Sequence, residues 1–503
     1  MTLLRSALIR HPRSFAFAGS LLLSLLVVLQ NDIINGDGII YVNVAKAYLA
    51  GGVGDAFRVF NWPFYGILIG ITHQLTLIDL EYSAHLLDAV LVASACAAFV
   101  AVYLELYPGT QHAWLAALLL LALPIVNEYR DFVIRDFGFW AFVLGALYFF
   151  LRFDRRRSLL DATLWQVALC LAIAFRIEGV AFALAPGIYY AFLCESDAKK
   201  RIRLAFQSSY LLISLAILAA VAGLVFSSSP GGVDLQILQR WISYASPLQI
   251  VSAINDNAEQ LMLQLEYLSS SSDAAFVLVA GLLSLVAYKL ALNAAPLFLL
   301  IAAYGSRKRW VAPSSSRRII WVFLVLSVAT IAALVMSRFF ISSRYTVIAT
   351  LLISLLTFGY VEAGLKRLAA GGKVAWQFVF WLLVASMLAD STISLGAGKT
   401  AIRDGSSYAL ERFDRNMDWL CNEPRLAFYT EGRCKVIDRD KLLAVLQRFN
   451  SLNEDTLLLL WISRKDTELT QLLQQSTDFT LVDSRKNRRN DMFAAYQSRP
   501  KAH

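Results

Sequence analysis

The sequence predicts a mainly α-helical, polytopic membrane protein with a small α/β domain at its C-terminus. Two observations carry that fold class. Of the 503 residues, 58% are hydrophobic and 17% charged, whereas soluble domains run near ~45–50% and ~25%. Charge is also unevenly spread: from Leu395 onward there are 18 Lys/Arg and 15 Asp/Glu, so 33 of 83 charged residues lie in the last 109. A hydrophobic body, residues 1–394, thus carries a soluble domain, residues 395–503.

The body contains eleven apolar runs, at about 14–30, 83–104, 112–127, 138–153, 159–175, 179–194, 204–226, 276–304, 319–336, 345–362 and 374–394. Several are shorter than the ~20 residues of a perpendicular span, so their ends must lie at thinned or protein-lined depth. The first is flanked by Arg5, Arg10 and Arg13 and lacks a small-residue cleavage site, which reads as a retained signal anchor.

Cation placement sets the orientation. Arg152, Arg155–Arg157, Lys199–Arg203, Arg307–Arg309, Arg317, Arg318, Lys366, Arg367 and Lys373 fall in alternate loops, with the N-terminal arginines on the same side. The other loops hold only Lys46, Arg58, Arg130, Arg135, Arg176, Arg240, Arg338 and Arg344. The bias of 19 to 8 is consistent if residues 62–80 do not cross. It predicts a multi-pass protein of eleven spans, with the N-terminus cytoplasmic and the tail outside. The net charge of +9 then belongs to cytoplasmic loops, and no nucleic-acid partner is expected.

The outer face is assembled from a first loop (31–82), a short stretch from Asn127 to Phe137, a second large loop (227–275) and the tail. The first loop opens N-G-D-G-I-I-Y and continues with helical spacing to the pair Gly51-Gly52. An aromatic-proline stretch, F-N-W-P-F-Y-G-I-L-I-G-I, follows and reads as a helix at the headgroup level. The second large loop holds an amphipathic helix from Pro247 to Leu268. In the tail, strand-like runs (Leu426–Thr430, Thr456–Ile462, Phe479–Val482, Met492–Tyr496) alternate with helices over Asp440–Phe449 and Asp466–Gln475. No phosphate loop or nucleophile motif is present in it. Cys421 and Cys434 either pair, as an exported location permits, or remain two thiols. No internal repeat or interrupted mid-membrane helix is evident.

Ionisable groups at membrane depth are costly and tend to face cavities. Four clusters lie on the outer side: Asp37; Arg130 and Asp131 with Arg135 and Asp136; Arg176 with Glu178; Arg338 with Arg344. Together they offer carboxylates and guanidinium groups to one cavity. Guanidinium holds phosphate oxygens bidentately, a carboxylate can accept a hydroxyl proton, and the cations stabilise charge on a departing phosphate. Each also has a plain structural alternative: interface snorkelling for Arg130 and Arg135, a mutual pair for Arg176 and Glu178, a helix cap for Asp136, a turn acid for Asp37. Lys289 fits no cluster. The histidines lack ligand spacing, so no metal site is expected.

The segments D-G-I-I-Y-V-N-V-A-K-A-Y-L-A-G-G, N-W-P-F-Y-G-I-L-I-G, R-D-F-G-F-W-A-F, R-I-E-G-V-A-F-A-L-A-P and S-S-R-Y-T-V-I-A-T occur in this order over roughly residues 14–362. In that order and sidedness the chain resembles the integral-membrane GT-C glycosyltransferases, in the bacterial branch related to protein O-mannosyltransferases and lipid A aminoarabinose transferases. The resemblance implies inverting transfer from a polyprenyl-phosphate sugar to a lipid, glycan or protein acceptor. It implies Asp37 as catalytic base, Asp136 as a second functional acid, and Arg176 and Arg344 as contacts to the donor phosphate. Arg130, Arg135, Glu178, Arg338, Tyr345 and Tyr41 complete the candidate substrate-binding set. No cofactor is implied, and a divalent metal is left open. Glu178 replaces a position more often uncharged in the aminoarabinose branch, and Asp37 lacks the adjacent acid of the eukaryotic protein mannosyltransferases. A transporter or flippase for lipid-linked sugars is the main alternative, and a scaffold presenting the tail is a third.

Overall fold

The computed structural model describes residues 10–30, 33–194, 197–226, 246–265, 270–312, 314–393, 400–414, 417–447, 456–476, 478–487 and 490–498. The S-S-S-P-G-G opening of the second large loop, Arg5 and Arg240 lie outside them. Among the described residues, seven helices are long and apolar enough to cross a membrane, eight if one bent pair counts as a span. The protein is therefore a mainly helical membrane protein with a small C-terminal sheet.

In chain order the body contains α1 (Pro12–Gln30), α2 (Gly36–Val59), α3 (Phe64–Thr76), α4 (Leu80–Leu106), α5 (Ala113–Leu121), α6 (Asp136–Arg156) and α7 (Leu159–Phe175). It continues with α8 (Ala198–Gln207), α9 (Tyr210–Phe226), α10 (Pro247–Gln264), α11 (Ser271–Asn293) and α12 (Pro296–Arg307). The last three are α13 (Ser315–Arg338), α14 (Val347–Ala370) and α15 (Val374–Thr392). The seven full-length spans are α1, α4, α6, α11, α13, α14 with its 3₁₀ lead-in, and α15. The other four expected runs are α5 with a following turn, α7, the irregular segment Ile177–Leu193, and the α8–α9 pair. At 13 residues, α3 is too short to cross, as the orientation argument requires.

Four interruptions depart from the uninterrupted helices read from the sequence, the first where the helix of run 112–127 stops at Leu121 and restarts at Pro124. Residues 177–193 wind as a 3₁₀ segment, one α turn and a π turn. Helices α8 and α9 meet at a bend of 59°. There Gln166 Oε1 accepts the N–H groups of Leu211 and Leu212 at 2.8 and 3.2 Å, and Trp165 Nε1 donates to the Ser208 carbonyl. A neighbouring helix thus satisfies the donors that a new helix start exposes. The expected run 276–304 also breaks, at Ala295 (φ 58°) followed by Pro296, because proline cannot supply the next N–H.

The chain divides into two compact units. The first comprises Met1–Leu23, Leu86–Tyr129 and Arg135–Ser391. Its centre is α14, buried along most of its length, and the hairpin of α6 and α7, where Gly138 lets the ring of Phe175 lie on the α6 backbone. Phe150 packs with Trp165, Tyr190 and Phe323 beside them. Helix α15 presents Trp376, Phe378 and Leu382 outward, the surface expected of a lipid-facing helix.

The second unit comprises Ser24–His85, Arg130–Ile134 and Thr392–His503. The first outer loop thus belongs with the tail, whereas the sequence suggested one boundary near 395. The reason is a buried polar knot. The Tyr429 hydroxyl donates to Glu81 Oε1 (2.7 Å) and accepts the Ile34 N–H (2.9 Å), while Arg403 pairs with Glu81 Oε2 at 3.0 Å. Burial, with the Glu81 carboxylate alongside, pushes the Tyr429 hydroxyl above its ordinary range, so it stays a donor. Ile33 also enters the core beneath the sheet.

The tail itself has α16 (Thr400–Arg412), β1 (Asp418–Cys421), α17 (Pro424–Tyr429), β2 (Cys434–Val436), α18 (Arg439–Gln447), β3 (Thr456–Ile462), α19 (Thr467–Gln475), β4 (Phe479–Lys486) and β5 (Met492–Ser498). Strand order is β2-β1-β3-β5-β4. Strands β1, β2 and β3 are parallel, and β5 is antiparallel to both its neighbours. The run L-L-L-L of β3 is apolar on both faces because Leu457 and Leu459 enter one core and Leu458 and Leu460 the other. Residues Leu426–Thr430, read as a strand, instead form α17: Pro424 occupies the first helical turn, where its missing N–H costs nothing. Helix α16 and strands β1 and β2 escaped the sequence reading.

Cys421 and Cys434 form a disulfide joining β1 to β2 across 13 residues. Closing a loop of that size is worth about 3 kcal/mol in the chain-entropy model. The double variant Cys421→Ser, Cys434→Ser is expected to lower the tail's stability by about that much in chemical denaturation of the purified protein. An unchanged midpoint would show that the bond adds nothing to folding.

Candidate functional site

The first unit holds a cavity of about 40 Å³ lined by Asp136, Arg176, Glu178, Arg344 and Tyr345, with Phe139, Trp140 and Phe182 as apolar walls. Each polar residue sits where a helix starts or stops. Asp136 is in the first turn of α6, where the helix dipole favours an acid. Arg176 has extended backbone (φ −147°, ψ 126°) between α7 and the 3₁₀ segment that begins at Ile177. Glu178 lies in the first turn of that 3₁₀ segment, and its carboxylate reaches back to the Arg176 guanidinium. Arg344 and Tyr345 lie in the 3₁₀ turn Ser343–Thr346 before α14.

Arg176 is nearly fully buried and pairs with two acids, Asp136 Oδ1 at 2.6 Å and Glu178 Oε1 at 2.5 Å. Its guanidinium also lies 4.8 Å from the centre of the Tyr345 ring, and that of Arg344 lies 5.3 Å from the same ring. One aromatic face system thus supports two cations, and two carboxylates offset them. The second oxygen of Glu178, Oε2, is buried and has no hydrogen-bond partner among the described residues. A buried acceptor in that condition is costly. A volume of about 40 Å³ holds a few waters.

Among the other expected residues, Arg135 immediately precedes α6 without a side-chain capping bond and lies near enough to Glu178 to act on its charge. Arg338 ends α13 and does not line the cavity. Arg130, Asp37 and Tyr41 belong to the second unit. Arg130 is buried, and its Nη1 donates to Ser24 Oγ at 2.8 Å. Tyr41 is buried and edge-on to Phe60 and Tyr65, at 5.8 and 4.9 Å, so its ring joins α2 to α3.

Asp37 is half-buried in the first turn of α2. The glycines beside it differ in role. Gly38 cannot carry a side chain because a Cβ would come within 2.9 Å of Val133, with Ile34 and Asn35 equally close; Gly36 faces open space. Asn35 accepts the Val133 N–H at 2.7 Å and so fixes the 130–134 segment beside this helix start. The expected helix end at Gly51-Gly52 is instead a kink, with Gly52 at φ 79° and α2 continuing to Val59.

Sequence reading missed Asn35 and the cavity hydroxyls of Ser327 and Thr330, since such residues are common in helices and carry no spacing signal. Lys289, which it left unassigned, reaches Ser343 Oγ at 3.3 Å, next to Arg344. A lone lysine in an apolar run was the signal. Among the described residues no group of His, Cys, Asp and Glu could hold a metal ion.

Fold and site together define a membrane protein with a buried arginine–dicarboxylate cluster at a convergence of helix ends. Neither a protein-family model nor a curated protein matches the chain.

Proposed function

We propose that this protein is a glycosyltransferase of a bacterial inner membrane, with eleven spans and a periplasmic tail. It moves a sugar from a polyprenyl-phosphate donor to a lipid, glycan or protein acceptor, inverting the anomeric centre by direct displacement. The observation that carries this reading is the cavity in which Arg176 is held by two acids while Arg344 brings a second cation to the same tyrosine ring. Arg344 would meet the donor phosphate and stabilise the charge left on it. Arg176, already doubly paired, would chiefly hold Asp136 and Glu178 in place. Asp37 remains the proposed base.

The test is purified protein in vesicles with a radiolabelled polyprenyl-phosphate hexose or pentose and an envelope extract as acceptor source. The expected result is consumption of donor with label appearing in acceptor, and at least a tenfold rise in donor KM for Arg344→Gln. A flippase is the second reading, favoured by the interrupted helices at 177–193, at the α8–α9 bend and at Ala295. It predicts movement of intact donor across the vesicle wall without acceptor, and that outcome would overturn the transferase assignment.

A further inference from the structure

At the far end of α14 from the arginine–dicarboxylate cavity, the first unit has two adjoining cavities that the proposed reaction does not use. One is largely apolar, about 490 Å³, walled by Leu300 and Tyr304 of α12 and Phe380 of α15. The other is polar, about 360 Å³, and contains Thr110, Glu362 and Lys366. Trp310 and Arg367 line both, and Lys373 lines the apolar one. Arg344 and Arg367 are 23 residues apart on one helical path, about 35 Å at ~1.5 Å per residue. That separation matches a hydrocarbon layer of ~30 Å with its headgroups, so the two ends of α14 reach opposite headgroup levels.

The junction is built rather than incidental. The Cε3–Cζ3 edge of Trp310 lies against Gly305 and Gly364; a Cβ at either would stand 2.7 or 3.2 Å from the ring. Arg367 stacks on the indole, 4.8 Å from a ring centre. Glu362, the carboxylate lining the polar cavity, is already engaged: it accepts from Tyr103 (2.7 Å), Thr110 (2.9 Å) and Lys366 (2.7 Å). Lys366 is thereby neutralised, while Arg367 and Lys373, both exposed, leave a net positive rim above an apolar compartment. Beside it, α15 turns Trp376 and Phe378 outward.

We propose that this pair of cavities is a binding site for an anionic phospholipid of that leaflet. Its phosphate sits at Arg367 and Lys373, the indole of Trp310 lies at the glycerol level, and an acyl chain fills the apolar compartment. Basic pockets between membrane helices recognise anionic headgroups in this way, and tryptophan favours that depth. The inference stands apart from the transferase reading, since it uses none of the residues of the other cavity.

The test is native mass spectrometry of the full chain, delipidated in detergent and titrated with dioleoyl phosphatidylglycerol or dioleoyl phosphatidylcholine. The wild type is expected to retain one phosphatidylglycerol that the double variant Arg367→Gln, Lys373→Gln binds at least tenfold more weakly. Phosphatidylcholine should bind both proteins equally, and Arg344→Gln should leave the retained lipid unchanged. Equal retention of phosphatidylglycerol by wild type and double variant overturns the proposal. So does equal binding of the two lipids by the wild type, or tighter capture of a polyprenyl monophosphate than of phosphatidylglycerol. Should the double variant misfold, a photoactivatable phosphatidylglycerol crosslinked to wild-type protein gives the answer. Labelled peptides containing Tyr304–Trp310 or Lys366–Lys373 support the site, and labelling elsewhere overturns it.

Discussion

Arg176→Met is expected to destabilise the protein by about 3–5 kcal/mol, the range for removing one partner of a buried ion pair. The loss is larger than the pair's net worth because of what remains. Asp136 and Glu178, 2.6 and 2.5 Å from the guanidinium, would be left as two largely buried acids without their cation. Each would then carry a desolvation penalty that the arginine now offsets. The triple variant Arg176→Met, Asp136→Asn, Glu178→Gln should recover most of that loss, since it removes the stranded charges together with their partner. Thermal unfolding of the purified proteins in one detergent measures both. If the triple variant is no more stable than Arg176→Met, the cluster is held by packing against Tyr345 and Phe139 rather than by charge.

The same cluster shows which parts of the site were legible in the sequence. Arg176 and Glu178 stand out because ionisable side chains between two apolar runs are rare. Their pairing was open to reading as well, as a mutual ion pair that satisfies a tight turn between two apolar runs. The reach of Arg176 to Asp136, 40 positions away, was not. It depends on α6 and α7 forming a tight hairpin, which Gly138 permits by admitting the Phe175 ring. Nothing local in F-G-F-W announces that a distant phenylalanine will fill the space. Likewise Lys289 is visible as an oddity, but its docking at Ser343 follows from how α11 packs, a property of the tertiary fold.

The fold class was legible because bulk hydrophobicity and cation bias are properties of whole segments. The interruptions were not. The bend between α8 and α9 depends on Gln166, a residue of α7 whose side chain caps a helix some 45 positions later. In the tail, Leu426–Thr430 has the composition of a strand, yet Pro424 starts a helix there. The affiliation of the first outer loop with the tail was hidden for the same kind of reason. It rests on Glu81, Arg403 and Tyr429, three ordinary residues that only the folded chain brings to one point.

On the proposed transferase function, Asp37→Asn is expected to lower the rate of sugar transfer by about 10²- to 10⁴-fold, the usual contribution of a positioned general base, with donor KM little changed. Glu178→Gln should cost about tenfold, what the loss of one charge-assisted hydrogen bond of roughly 1.5 kcal/mol amounts to. The contrast tests one assignment directly, because the two acids have different claims. Asp37 is the acid of the N-G-D-G-I-I-Y segment, half-buried at the start of α2, and its role comes from a resemblance. Glu178 has the stronger geometric claim, since its Oε2 is buried in the cavity and has no hydrogen-bond partner among the described residues. Steady-state transfer with saturating acceptor separates them, provided both variants reach the membrane at wild-type levels. The base should also own the acid limb of the kcat/KM profile, which its amide variant flattens while the other variant leaves it in place. Near-normal turnover in Asp37→Asn together with loss of that limb in Glu178→Gln would transfer the role to Glu178. Glu178, held by Arg176 in the cavity that Arg344 also lines, would then be the proposed base.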